Sequence, residues 1–275
     1  MIELSEAMTL ARQLNEETTG KTVRRIGEPS YEHKFTWFHN DVSTYDSRLK
    51  ESAIQSAGAF GIFVEIVFNN GMKLNFHDGV NVRLLPPDEK PPIKYQLLIE
   101  FTDDWKLVFT VAMYGGFALH NGNFDNPYYQ KSIEAVAPLS AEFDSNYFEA
   151  LFQSVKPTLS TKAFLATEQR IPGLGNGSLQ DILLACNVHP KRKIGTLSKE
   201  ERERMLHAIK DTFANMTARG GRDTEKDLFG NPGGYHTILS KKSINTPCPY
   251  CGETIEKQTY LGGAVYYCSS CQPLV

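Results

Sequence analysis

Between Leu4 and about Thr19, the apolar residues Ala7, Leu10, Ala11 and Leu14 recur at the spacing of one helix face. Ser5 suits the cap of that helix and Gly20 its stop. Beyond Gly20 the period changes. GIFVEIVFNNGMKLNF, YQLLIEF and KLVFTVAMY are rich in Ile, Val, Phe and Tyr, with Asn-Asn-Gly and Asp-Asp-Trp at the turns. Several short strands after one helix predict a β-sandwich or barrel over about 20–130. PPDEKPP (86–92) is a rigid, exposed connection within it. Helical spacing returns after Pro138 in LSAEFDSNYFEALFQSV, TKAFLATEQR, GSLQDILLACNV and SKEERERMLHAIKDTFANMT. The expected architecture is α+β and bilobal. An N-terminal helix with a β-sandwich occupies 1–135 and a helical domain 138–225. A flexible Gly-rich loop and connection follows at 226–245, and a hairpin closes the chain at 246–275.

A chain of 275 residues has room for two domains, and its 41% hydrophobic and 22% charged content is that of a globular protein in water. No apolar run approaches the roughly 18 residues that a bilayer span needs. MIELSEAMTLARQ lacks the basic and then apolar order of a signal peptide. A cytoplasmic protein without a membrane partner is therefore expected. The net charge of −3 conceals an asymmetry. Residues 1–150 hold 13 Lys+Arg against 21 Asp+Glu, and residues 151–275 hold 16 against 11, so the halves carry −8 and +5. A basic second half suits a polyanionic partner, although solvated faces also scatter charge by chance.

All five cysteines lie in that basic half. Cys248, Cys251, Cys268 and Cys271 form two C-x-x-C pairs, the spacing of two thiolate turns that close a tetrahedral Zn2+ site. Four thiolates leave no open position, so the ion is structural. TIEKQTYL and AVYY, around Gly262 and Gly263, predict a two-stranded finger. Cys186 sits on an apolar helical run and is assigned to the core. In QRIPGLGNGSLQDILLACNVHP, Pro172, Gly173, Gly175 and Gly177 interrupt a helical pattern. Backbone N–H groups at such a turn, with the Asn176 amide, make a phosphate seat. A Gly-rich turn between helices is also a plain connection, and spacing alone leaves both open.

Taken together, EQRIPGLGNGSLQDILLACNVHPKRKIGTLSKEE, the cysteine spacing and the opening IELSEAMTLARQL resemble the formamidopyrimidine-DNA glycosylase and endonuclease VIII family of base-excision repair enzymes. The resemblance covers essentially the whole chain. It implies a monomeric bilobal clamp with a helix–two-turns–helix element and a zinc finger. Its partner would be double-stranded DNA with a damaged base or abasic site, which places it on the nucleoid. By similarity, Asn176, Lys162 and Gly175 belong to the DNA-binding surface, and GGRDTEKDLFGNPGGY covers an everted base. In the family a Pro amine, exposed after removal of Met, attacks the sugar C1′ and forms a Schiff base. A following Glu moves protons.

Glu3 and Glu6 match the two family glutamates, while Ile2 stands at the Pro position. With Met1 retained, the free amine lies one residue further out, roughly 3.5 Å, which bears directly on the lyase step. Ala59 replaces a phosphate-binding Lys, and Gly263 replaces the finger's Arg. Asp78 and Gly115 fall approximately at the positions that fill the gap left by a flipped base. Three readings follow: a glycosylase using Met1 or a Glu3-activated water, an inactive binder of damaged or distorted DNA, and a scaffold for another partner. Retention of Glu3 and Glu6 favours the first, although acidic residues there also suit a helix N-terminus.

Overall fold

The computed structural model of the protein describes residues 1–275. Helix α1 (Leu4–Thr18) is capped two residues earlier than its composition suggests, by Glu3 and not Ser5. The Glu3 N–H donates to the Glu6 carboxylate (3.1 Å), while the Ser5 hydroxyl lies inside the helix and donates to the same side chain. Gly20 follows the helix end at φ +84°, a conformation glycine takes without steric cost.

The strands are β1 (Val23–Gly27), β2 (Thr36–His39), β3 (Ile54–Phe60), β4 (Phe63–Phe68), β5 (Lys73–Leu85), β6 (Leu97–Phe101) and β7 (Lys106–His120), with helix α2 (Tyr45–Leu49) between β2 and β3. They form one sheet in the order β1-β6-β7-β5-β4-β3, and β2 adds to β7 in parallel. The predicted Asn-Asn-Gly and Asp-Asp turns join β4 to β5 and β6 to β7, with Gly71 at φ +82° and Asp104 at φ +67°. The long strands β5 and β7 carry the sheet across both halves, and side chains from every quarter of it enter one core cluster. Their ladder slips between Asp78 and Val80. At this bulge the backbones crowd together: a Cβ on Gly79 would meet the Tyr114 carbonyl at 2.6 Å, and one on Gly115 would meet Val80 at 2.7 Å. Asp78 and Gly115, singled out above, lie directly opposite one another there.

The helical part comprises α3 (Pro127–Glu134), α4 (Ser145–Gln153), α5 (Thr161–Ala166), α6 (Asn176–Ala185) and α7 (Lys199–Ala218), followed by the hairpin β8 (Ile255–Tyr260) and β9 (Gly263–Cys268). Neither α3, with Asn126 capping the Tyr128 and Tyr129 amides, nor the parallel strand β2 was foreseen. No helix is long and apolar enough to cross a membrane. A second core gathers on α4 to α7, and Cys186 belongs to it as expected, burial pushing its thiol up to about 12. Ile2 enters the first core and Leu4 the second, so the N-terminus is sewn into the junction.

The stretch 226–245, expected as a flexible connection, is tied down instead. Leu228 is buried in the sheet core, its carbonyl accepts from the Leu84 amide (2.9 Å), and its own amide donates to Gln13 (3.0 Å). Gln13 in turn donates to Asp227 (3.0 Å). An apolar side chain with a sheet to pack on outweighs the local glycine content.

Candidate active site

Residues 1–4 run between the two cores. The Ile2 N–H donates to the Asp78 carbonyl at the sheet bulge (2.7 Å), and the Leu4 N–H to the Gly173 carbonyl before α6 (3.0 Å). Between these anchors the Glu3 side chain points into the helical lobe and is only 2% exposed. Its two oxygens accept from the Gly177 and Ser178 amides, both at 2.8 Å. These are first-turn donors of α6, where the helix dipole favours an anion. The phosphate seat read from the Gly-rich turn is thus taken by the protein's own carboxylate. The glycines make room for it: a Cβ on Gly175 would fall 2.5 Å from the Glu3 carboxylate, and one on Gly177 would fall 1.5 Å from Arg222.

Arg222, 3% exposed, closes the arrangement. Nη1 lies 3.2 Å from Glu3, while Nε and Nη2 donate to Glu6 at 3.1 and 2.8 Å. Its backbone N–H also donates to Glu6 (2.9 Å), and Nη2 reaches the Met1 carbonyl (3.0 Å). Burial alone would raise the Glu6 carboxyl, but the charge and hydrogen bonds of Arg222 overcome it and hold Glu6 below the usual carboxylate range. Burial opposes the Arg222 charge in the same way, and the two carboxylates more than restore it. Nothing in the periodicity marked Arg222. It follows two glycines in an acidic stretch, and only the need to balance two buried carboxylates identifies it.

The Met1 amine stands outside this buried triad. It contacts the Glu225 carboxylate at 2.6 Å, at the edge of a cleft of about 90 Å3 whose walls include Ile2, Glu6, Asn81, Met113 and Lys226. The carboxylate touching the amine is Glu225, which the sequence reading did not select, and not Glu3. Ala59 sits on β3 against the sheet core, where it offers no charge.

Lys162 and Asn176 are brought together by the finger. Lys162 is 4% exposed, and its ammonium, lowered in pKa by burial, donates to the Tyr260 carbonyl (2.6 Å). Asn176 Nδ2 donates to the Ala264 carbonyl (3.0 Å), leaving its buried Oδ1 without a partner. Gly263 lies between them, since a Cβ there would be 3.3 Å from Lys162 Nζ. Leu261 and Gly262, at φ +50° and +72°, turn the hairpin tip. The sulfurs of Cys248, Cys251, Cys268 and Cys271 all lie within 4.8 Å of one another. A closed four-thiolate shell has sulfurs about 3.8 Å apart at Zn–S distances near 2.3 Å, so this donor set fits one metal ion. Asp181 on α6 binds the chain entering the finger, accepting from Tyr235, Ile238 and Leu239 (3.1, 3.0 and 2.8 Å). Burial pushes its carboxyl up to about 6 against those hydrogen bonds.

No family model matches the chain. Among curated proteins it is similar to the formamidopyrimidine-DNA glycosylase of Shouchella clausii, 27% identical over 282 residues and 99% of each chain. That of Mycoplasma mobile is 30% identical over 228 residues, 80% of each. Among solved structures, the complex of Lactococcus lactis Fpg with DNA containing an abasic site superposes with a TM-score of 0.84 at 21% identity, covering 98% of this chain and 99% of that one. The MutM (Fpg) protein of Thermus thermophilus gives 0.82 at 22%, covering 99% of both. At these identities the structures speak for the fold.

Proposed function

The chain belongs to the formamidopyrimidine-DNA glycosylase family, and from that premise we propose that it binds damaged duplex DNA between its lobes and cleaves the N-glycosidic bond of a flipped-out base. The observation that carries this reading is the Met1 amine. It stands at the cleft edge, touching Glu225, beside two buried carboxylates locked by one guanidinium. An α-amine becomes a nucleophile once its proton is removed, which is the role of an adjacent base. Glu225 accepts its proton. The amine nitrogen then bonds to C1′ as the C1′–base bond breaks, and the base leaves with the bonding pair and takes up the proton that Glu225 received from the amine. Glu3 and Glu6 keep the N-terminus in register. Because Ile2 displaces the amine by one residue from the family Pro position, the abasic-site lyase step depends on the same displaced amine reaching C1′.

The working units are the lobes 1–135 and 138–225, with the finger at 246–275 and a monomer acting on the chromosome. Zn2+ is the ion assigned to the four cysteines, in a structural role. Lys162 uses one ammonium donor on the hairpin and retains two for a phosphate, and Asn176 is held beside it. A second reading, damaged-DNA binding without chemistry, is favoured by Glu3, whose two oxygens are already satisfied in a site closed to water.

The test is an incision assay on duplexes carrying an abasic site, oxidised pyrimidines or oxidised purines, with and without hot alkali. The native protein, with Met1 verified by intact mass, is compared with Glu225→Gln, Glu3→Gln and Asn176→Ala. Breaks that need no alkali, trapped by borohydride and lost in Glu225→Gln, support amine attack. Breaks seen only after alkali and lost in Glu3→Gln support a Glu3-activated water. Salt-sensitive binding that Asn176→Ala weakens, with no breaks on any duplex, leaves the binder.

A further inference from the structure

An aromatic shelf flanks the cleft, and none of the chemistry above uses it. Ala112 and Met113 on β7 line the cleft beside Met1. Tyr114 follows them on β7, inside the bulge opposite Gly79. The Tyr114 ring lies 6.3 Å from that of Trp37 on β2, the strand added in parallel to β7. Phe35 comes just before β2, and its carbonyl accepts from the Gly115 amide (3.0 Å). Trp37 is 54% exposed, Phe35 49% and Met113 64%. Large side chains are costly to leave in water, and a contiguous group of them marks a binding surface. Cations are interleaved with the rings: Lys34 lies 5.5 Å over Phe35 and Lys94 lies 4.5 Å over Tyr31.

Flat π faces with interspersed ammonium groups, continuous with a cleft that takes DNA, have the composition of a single-strand binding surface. We propose that Phe35, Trp37 and Tyr114 stack the unpaired bases of single-stranded DNA next to the reacting nucleotide. The proposal rests on the DNA-binding reading above. Bases inside a duplex are already stacked on one another and offer no free face, so the shelf selects substrates unpaired beside the lesion. The surrounding half of the chain is net negative, which makes stacking and not phosphate attraction the main source of affinity here.

The chain has two tryptophans, so Trp105→Phe leaves Trp37 as the reporter in the full-length protein. Its emission is followed while adding an oligothymidylate of about 10 nucleotides, an undamaged duplex, or a duplex with a central abasic site. The expected result is quenching by oligothymidylate and not by the undamaged duplex. In the single-site variants, Trp37→Ala should weaken oligothymidylate binding roughly 5- to 150-fold per base unstacked. Trp37→Phe, which keeps a ring, should recover most of that loss. If the abasic duplex binds but oligothymidylate neither quenches Trp37 nor senses its removal, the shelf inference is overturned and the DNA-binding reading stands. Quenching that follows protein concentration alone makes the shelf a contact between copies and also overturns it. Failure of every DNA to bind removes the shelf and the proposed function together.

Discussion

Replacing Arg222 with methionine keeps much of its volume and removes the cation that contacts both Glu3 and Glu6. Glu3 keeps the Gly177 and Ser178 amides, so its charge remains compensated by the start of α6. Glu6 keeps backbone donors but loses Nε and Nη2, and it stays buried. Removing one member of a buried ion pair costs about 3–5 kcal/mol. For a chain of this size that is a fall of about 6–20 °C in the thermal midpoint. The pH dependence follows from Glu6. In the native protein its folded pKa is depressed, so its contribution is present above the ordinary carboxylate range and lost as pH falls through the lowered value. In Arg222→Met, burial, the largest influence on Glu6, is opposed only by the backbone donors that remain, and the folded pKa rises above the unfolded one. The variant then binds a proton more tightly when folded and regains stability as the solution is acidified. Urea unfolding at pH 7.5 and pH 5 is the assay, for Arg222→Met, Glu6→Gln and the double variant. The deficit should be largest at pH 7.5, and adding Glu6→Gln to Arg222→Met should recover much of it. A cost below about 1 kcal/mol, as for an exposed pair, or a deficit equal at both pH values, would refute the buried-triad account.

Two further outcomes are expected. Asp181, with a folded carboxyl near 6, contributes most below the unfolded value and less as pH rises, so native stability relative to Asp181→Asn should decline from about pH 4 to about pH 7. Urea midpoints across that range check it, and a difference flat with pH would contradict it. The finger contributes only Cys248, Ile255 and Cys268 to the buried cluster beneath it, so metal analysis should find about one ion per chain and strong chelation should unfold the hairpin. The Tyr266 amide, which donates to Gln180 (3.1 Å), should then lose its protection from hydrogen exchange. Retained protection would mean that packing alone holds the finger.

Period, turn chemistry and cysteine spacing determined much of this protein without any structure. The apolar stripe of α1, the Asn-Asn-Gly and Asp-Asp turns and the four helical patterns are local signals, and each became the element it announced, while the two C-x-x-C pairs come close enough together to hold one metal ion. Family resemblance rested on the same local runs. The parallel strand β2 and the short helices α2 and α3 were not legible, because a few aromatic and polar residues carry no period of their own. The flexible stretch was misjudged because Leu228 reveals its burial only when the sheet core is present to receive it. At the site, sequence supplied Glu3, Glu6, Lys162 and Asn176, but not what each one touches. Gly177 and Ser178 lie about 175 residues from Glu3 along the chain, Arg222 lies 216 from Glu6, and Glu225 lies 224 from Met1. Those pairings arise when two cores close on one N-terminus, and the strength of buried charges depends on the partners that closure brings. Tertiary structure alone therefore decided that the helix N-terminus holds the protein's own glutamate, and that the free amine faces the cleft beside Glu225.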